Sequence, residues 1–244
     1  MHRLRTLVAT SLVAALALGA MAAPASAASK GKLTVVNGMP GVKVDVCIGS
    51  TNEIKSGLKY GATYAKQVSG TKKLRFRKAA PGTCKGKLLA ARTVAMPLGS
   101  DKTVVFTKKT PKVLVFNNHR VDVYNPNPVG VLAVRHAADL NWNTIHFDYR
   151  LWEEGPGGSL PPTLAADDPN AYEKGDARSQ TLALSSYRMQ VLATRPAGTP
   201  VLRESDVFPV KELRRHEFYF LGTSATNAKL VHVVRALSEA PTAP

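Results

Sequence analysis

The side chains that could carry out a reaction are scattered carboxylates and histidines, and one short stretch places two of them side by side. His146 and Asp148 alternate within residues 145–149, so both would lie on one face of a strand and could contact a ligand together. A serine-type hydrolase also needs a nucleophile beside the histidine, and no serine stands out for that role. We therefore predict that the chain is not an enzyme and has no catalytic residues. The alternative is a secreted hydrolase built around His146, Asp148 and the carboxylates of residues 151–177.

Metal binding is not indicated either. No two histidines have the His-x-x-x-His spacing and no Glu-x-x-His pair occurs, so we expect histidines such as His119, His136 and His232 to be core or surface residues. Residues 151–177 carry acids that could collect calcium, which prefers several oxygen ligands. Their spacing matches no established calcium loop, so we expect a solvated acidic face and no metal or cofactor. These acids are Glu153, Glu154, Asp167, Asp168 and Asp176.

Aromatic side chains near this acidic segment could bind a different type of ligand. Trp142, Tyr149 and Trp152 precede the glycine-rich residues 156–158, and such rings could stack on sugars. The alternative, which we favour, is that these rings pack the segment onto the rest of the fold.

Charge is the most informative property of the sequence. The formal net charge is +16, and residues 28–120 contain 19 lysines and arginines against three acids, whereas residues 121–244 contain 12 against 14. Such asymmetry usually indicates a polyanionic partner for the basic half. The basic half has 15 lysines and four arginines, which favours attraction between point charges over bidentate recognition of bases.

Ten lysines and arginines of the basic half are the candidate polyanion-binding residues. Leu74 and Phe76 alternate with Lys73, Arg75 and Arg77, as in a strand with a cationic outer face. Charge runs are often only solvated faces, but self-repulsion at this net charge favours a nearby anion. The ten are Lys72, Lys73, Arg75, Arg77, Lys78, Lys85, Lys87, Lys108, Lys109 and Lys112.

The elements that must position these residues are short strands. From Val42 to Ile48 every second residue is apolar, which is the period of a half-buried strand, and similar stretches recur between glycine or proline turns. Asp45 lies in this first stretch after a proline corner, and we expect it to cap a turn or pair with a lysine. The pattern predicts an all-β fold of antiparallel, Ig-like β-sandwiches.

The strand pattern occurs twice along the chain. The opening near Leu33 returns in residues 131–138, and later strands follow in the same order. We therefore predict two tandem Ig-like antiparallel β-sandwich modules, residues 28–120 and 130–237. The remaining segments are a proline-rich linker at 121–129, an insertion at 151–177 in the second module and a tail at 238–244.

The first 27 residues have the features of a secretory signal peptide. Arg3 and Arg5 precede an apolar stretch at residues 7–18, and Ala-Ser-Ala at 25–27 matches a small-residue cleavage site. An uncleaved membrane anchor is the alternative, which Pro24 and the cleavage site disfavour. We predict a mature chain that is extracellular or associated with the cell wall and that has no transmembrane segment.

Cys47 and Cys84 are the only cysteines. In an oxidising compartment two lone cysteines of one module usually pair, and a loop of this length would stabilise the fold by about 3 to 4 kcal/mol. Cys47 lies on the strand face opposite Val44 and Val46, so we expect the bridge outside the main core. A reactive or metal-binding pair is the alternative, but no histidine lies at ligand spacing.

Several short motifs of the first module belong together. They are Val-Val at 35–36, the corner Met-Pro-Gly at 39–41, Val-Asp-Val at 44–46 and the turn Pro-Gly-Thr at 81–83. With these motifs, residues 33–118 resemble the domain of unknown function 4397 family, which consists of secreted bacterial β-sandwich repeats. The second module resembles the family more weakly, through residues 135–137 and 196–198. The resemblance implies secretion and repetition but no established reaction.

Together these features predict a secreted, non-enzymatic binding protein of the cell envelope or the extracellular space. The basic module would adsorb to an acidic cell-wall polymer, an anionic glycan or another anionic surface. A structural or adhesive spacer is a further alternative. Nucleic acid is not expected as a natural partner, because the chain is predicted to be secreted.

Overall fold

The structure is a computed structural model that describes residues 30–118, 130–140, 147–154, 174–175, 177–193 and 201–236. Strands are the only regular elements among these residues, so the predicted all-β fold is confirmed. The predicted signal peptide, linker and tail lie outside the described residues. In the described part of the chain, no helix is long and apolar enough to cross a membrane.

The first half of the chain forms a β-sandwich. Its strands are β1 (Gly31–Asn37), β2 (Val44–Ile48), β3 (Asn52–Leu58), β4 (Thr63–Val68), β5 (Gly70–Lys78), β6 (Leu88–Met96), β7 (Asp101–Phe106) and β8 (Val113–Asn117). They make an outer sheet of order β3-β2-β5-β6 and an inner sheet of order β4-β1-β7-β8. Val46 and Phe76 of the outer sheet share one core with Val104 and Phe106 of the inner sheet. The rings of Phe76 and Phe106 stack with their centroids 5.0 Å apart.

The second half forms another sandwich. Its strands are β9 (Gly130–His136), β10 (Phe147–Glu154), β11 (Ala177–Leu182), β12 (Ser186–Ala193), β13 (Val201–Glu204), β14 (Phe208–Pro209), β15 (Arg214–Leu221) and β16 (Lys229–Ala236). The inner sheet has the order β11-β9-β15-β16, and the outer sheet has the order β10-β12-β13 with β14 also paired to β12. Tyr149 and Met189 of the outer sheet pack with Phe218 and Phe220 of the inner sheet.

The two inner sheets have the same topology. β9 lies between β11 and β15 as β1 lies between β4 and β7, and in each sheet the pair β1–β7 or β9–β15 is parallel. Alternation could not predict this parallel pair, because side chains alternate in the same way in parallel and antiparallel strands. The predicted tandem sandwiches are confirmed, with one parallel pair in each.

Strands occupy both ends of the predicted insertion at residues 151–177. β10 continues to Glu154, and β11 begins at Ala177. Between them, Lys174 and Gly175 are described, and the acids Asp167, Asp168 and Asp176 lie outside the described residues.

The inner sheets of the two halves pack face to face. Val36, Val105 and Phe116 of the first half share an apolar cluster with Tyr219 and Leu221 of the second. The central strands of each inner sheet are therefore buried on both faces, against their own outer sheet and against the other half. Consistent with this, every residue of β9 is buried. The sheets form four layers in the order outer, inner, inner, outer.

A buried ionic network lies in the same interface, with Glu217 at its centre. One carboxylate oxygen of Glu217 is 2.7 Å from Arg235 Nε and 2.7 Å from the Tyr219 hydroxyl, and the other is 3.1 Å from Arg215 Nε. Arg235 reaches into the first half and contacts Asp101 Oδ1 at 3.2 Å. Glu217, Arg215, Tyr219 and Arg235 are all at most 3% exposed, so the pairing takes place away from solvent.

The pKa values of the interface arginines reflect the competition between burial and pairing. Burial lowers the pKa of Arg135 and of Arg215, and the charge of Glu217 opposes that shift. At Arg235 burial also disfavours the charged form, but Glu217 together with Tyr219 and Asp101 outweighs it and raises the pKa. Glu217 is thus the counter-charge that makes the burial of these guanidinium groups tolerable.

Replacing Glu217 by glutamine should destabilise the protein by about 3 kcal/mol, because the buried Arg215 loses its counter-charge and Arg235 keeps only Asp101. The matched control is Glu204→Gln, which removes the partly exposed pair with Arg188 and should cost less than about 1 kcal/mol. Chemical denaturation of both variants gives the comparison. Equal losses would mean that the interface does not depend on the charge of Glu217.

Candidate polyanion-binding surface

Strand β5 carries the central cations of the basic half on the outside of the outer sheet. Leu74 and Phe76 are fully buried in the core, and the intervening Lys73, Arg75 and Arg77 lie on the opposite face. Lys73 is exposed, whereas both arginines are half-buried. The predicted alternation of this strand therefore places three of the candidate residues in one row.

A disulfide holds the segment 79–87 against the same face. Cys84 in this segment is bonded to Cys47 of the neighbouring strand β2, and both cysteines are buried. Neither belongs to the apolar core of the first half, as the sequence predicted. The N–H of Cys84 also donates to a carboxylate oxygen of Glu53 on β3 at 3.2 Å, so the segment crosses β2.

Lys85 and Lys87 flank the point where this segment meets Arg77 of β5. Both are exposed. Arg77 Nη1 donates to the carbonyl of Gly86, between them, at 2.8 Å. Arg77 thus holds the segment in place, and the side chains open to a ligand are mainly Lys73, Lys85 and Lys87.

Asp45 is a structural residue of this face. It is fully buried, and its carboxylate accepts hydrogen bonds from the N–H of Gly57 at 2.9 Å, the hydroxyl of Ser56 at 3.3 Å and the N–H of Ala80 at 3.3 Å. These bonds connect β2 to β3 and to the segment 79–87. Asp45 therefore ties three pieces of backbone together, and its partners lie 11 to 35 residues away rather than in its own turn.

Two other candidate residues of β5 lie on the opposite side of the strand from Lys73, Arg75 and Arg77. Lys72 and Lys78 share the side of Leu74 and Phe76, because residues two apart on a strand face the same way. They lie near the ends of the strand, where Lys72 is half-buried and Lys78 is exposed. They border the outer face but do not belong to its row.

The last three candidates lie on a different sheet. Lys108, Lys109 and Lys112 belong to the connection between β7 and β8 of the inner sheet. The N–H groups of Lys108 and Lys109 donate to one oxygen of Asp139 in the second half at 2.6 and 2.9 Å, and Lys174 Nζ is 2.5 Å from its other oxygen. The structure therefore does not bring all ten candidates together, and this connection docks the two halves.

The residues of the hydrolase alternative do not form a described site. His146 and Trp142 lie outside the described residues, as do the side chains of Asp148 and Trp152. Tyr149 is fully buried in the core, and its hydroxyl is 2.6 Å from Nδ1 of His136. No group of three or more metal-ligating side chains occurs among the described residues.

Sequence analysis missed a histidine pair in the second half. His216 on β15 and His232 on β16 are hydrogen-bonded, with Nδ1 of the first 3.0 Å from Nε2 of the second. Burial lowers the pKa of both, that of His232 to about 4. Their separation by 16 positions gives no motif, and only the pairing of β15 with β16 brings them together.

Neither a protein-family model nor a curated protein sequence matches the chain, so the resemblance to the domain of unknown function 4397 family stays a prediction. Among solved structures, the membrane-binding domain of pneumolysin is 14% identical over 44% of this chain and 98% of that domain, with a TM-score of 0.29.

Matches that cover more of this chain have similarly low sequence identities and TM-scores. A non-hemolytic pneumolysin from Streptococcus pneumoniae is 12% identical over 68% of this chain and 39% of the toxin, with a TM-score of 0.29. A candidate cell adhesion protein from Bacteroides eggerthii is 7% identical over 85% of this chain and 96% of that protein, with a TM-score of 0.26. Likeness at this level carries no argument about function.

Acid should destabilise the fold partly through His136. Burial, assisted by the charge of Lys174, lowers the pKa of His136 from 6.5 to about 3. Between these values the unfolded chain binds a proton that the folded protein excludes, so stability falls as the pH drops below about 6.5, by about 2 kcal/mol between pH 7 and pH 5.

Denaturation of the parent and of His136→Gln at both pH values tests this. The variant should be less stable at either pH, but its loss on going from pH 7 to pH 5 should be about 2 kcal/mol smaller. An unchanged pH dependence would rule out His136 as the titrating group.

Proposed function

We propose that the chain is a secreted, non-enzymatic binding protein that adsorbs to polyanions through the outer sheet of its first half. The observation that carries the proposal is the concentration of positive charge: 19 lysines and arginines against three acids in residues 28–120. A surface of this kind attracts acidic wall polymers or anionic glycans over a range set by ionic strength.

In the described part of the chain, none of the three acids of the basic half forms an ion pair with Lys73, Lys85 or Lys87. Asp45 is buried and accepts hydrogen bonds from Gly57, Ser56 and Ala80, and Glu53 accepts the N–H of Cys84. The third, Asp101, pairs with Arg235 in the interface between the halves. The lysines on the outer face therefore remain available to an external anion.

The neighbouring strand leaves room for a polymer along this row. Thr93 and Ala91 of β6 are paired with Lys73 and Arg75 of β5 and lie on the same face. Both have small side chains and are exposed. A flexible anionic chain could lie along β5 without displacing bulky side chains.

Secretion to the envelope is part of the same proposal. It is supported by the signal-like first 27 residues and by the disulfide, which suits an oxidising compartment. The hydrolase alternative depends on His146 and on the side chain of Asp148, which lie outside the described residues, so no observation favours it.

The proposal is tested by retention on immobilised heparin in a salt gradient, with the purified mature chain. Lys73, Lys85 and Lys87 changed together to glutamate should lower the eluting salt concentration strongly, because each lost contact reduces the counterions released on binding. Arg77 is left intact because it holds Gly86.

The matched control changes Lys108, Lys109 and Lys112 to glutamate, which alters the net charge by the same amount on the connection between β7 and β8. This variant should elute close to the parent protein. Equal shifts of the two variants would show that net charge alone governs retention, and retention that is independent of salt would contradict an electrostatic mechanism altogether.

A further inference from the structure

The second half contains a pocket at the open end of its core. The pocket has a volume of about 300 Å³ and lies where β14 covers the beginning of β15 and the end of β16. Its walls include Phe208 of β14, His216 of β15, and His232 and Val234 of β16. Because His216 is paired with Val234, these two side chains lie next to each other on one face of the inner sheet.

Apart from Lys211 and Arg214, the lining residues are apolar or aromatic. The ring of Phe208 is 5.1 Å from that of His216 and 5.0 Å from that of His232, and His232 stacks on Phe218 at 4.3 Å. The hydrogen bond between the two histidines engages one nitrogen of each ring. Since burial lowers the pKa of both histidines, they are neutral at pH 7 and the ring faces form an apolar surface.

The positive charge of the pocket comes from two exposed side chains, which define what we call its mouth. Lys211 and Arg214, both exposed, line it together with the apolar walls. Glu212 lies between them in sequence but is not among the lining residues. Val234 is 51% exposed although it lies on the core side of its strand, so the inner sheet leaves an apolar surface uncovered here.

We propose that this pocket binds a small organic anion with a flat apolar body, such as an aromatic carboxylate or sulfonate. The flat body would lie against the exposed Val234 and His232, and the anionic group would meet Lys211 and Arg214. Aromatic side chains favour rings that stack on them, and the two exposed cations at the mouth select against cationic ligands. This site lies in the second half and does not depend on the polyanion surface of the first half.

Two fluorescent probes that share a ring system distinguish binding of the flat apolar body from binding of the anionic group. Anilinonaphthalene sulfonate carries an anionic group, whereas N-phenylnaphthylamine does not. We expect saturable binding of the sulfonate to the folded mature chain at pH 7, with tighter binding than that of the neutral probe. The difference should shrink as salt is added, because exposed cations supply it.

Matched variants locate the site. Val234→Asp places a charge against the apolar wall and should weaken sulfonate binding at least about tenfold. Val201→Asp changes an equally exposed valine of the same half and should leave the affinity unchanged. Circular dichroism confirms that both variants are folded.

Lys211→Gln combined with Arg214→Gln tests the charged mouth at positions that do not pack in the core. This variant should weaken the sulfonate several-fold and leave the neutral probe unaffected. The proposal is overturned if Val234→Asp and Val201→Asp bind alike, if neither probe saturates, or if the double variant affects both probes equally. Loss of heparin retention with intact probe binding would separate failure of the polyanion proposal from failure of this one.

Discussion

The contact of Arg235, the partner of Glu217, with Asp101 of the first half is the constraint on which the arrangement of the two sandwiches depends. Apolar contact between the inner sheets stabilises their association but does not fix their relative position, because apolar surfaces can pack in several registers. Buried charges tolerate only the register that pairs them, since an unpaired ion in the interior costs several kcal/mol. The link from Arg235 to Asp101 carries this requirement across the interface and fixes one half on the other.

The sequence was sufficient for the parts of the fold that alternate cleanly. Leu74 and Phe76 against Lys73 and Arg75 predicted both the strand and its two faces, and Cys47 was correctly placed outside the core. The doubly buried inner sheets were not predicted. Their near-continuous apolar runs, as in β9, carry no period that separates one face from the other. The ionic network of Arg215 and Glu217 could not be predicted either, because it depends on which side chains the neighbouring strand and the other half place next to them.

The candidate surface was predictable only in part for the same reason. The sequence does not show that the backbone of Lys108 and Lys109 binds Asp139 of the second half. Nor does it show that the disulfide of Cys84 holds the neighbouring Lys85 near the outer sheet. The pocket could not be predicted from the sequence. Its lining residues come from strands that are brought together in the fold and show no regular spacing along the chain. The two halves share a topology but differ in chemistry. The first half has lysines at its outer sheet, and the second half has a pocket with aromatic side chains.

The parallel pair in each inner sheet determines where the backbone enters and leaves. Lys32 near the start of β1 is paired with Asp101, and Asn117 at the end of β8 is paired with Lys102, so both termini of the first half lie at one end of its sheet. The second half is built alike, with Val131 and Arg235 both paired to Arg215. Because Arg235 touches Asp101, these ends adjoin, and the two sandwiches lie side by side rather than end to end.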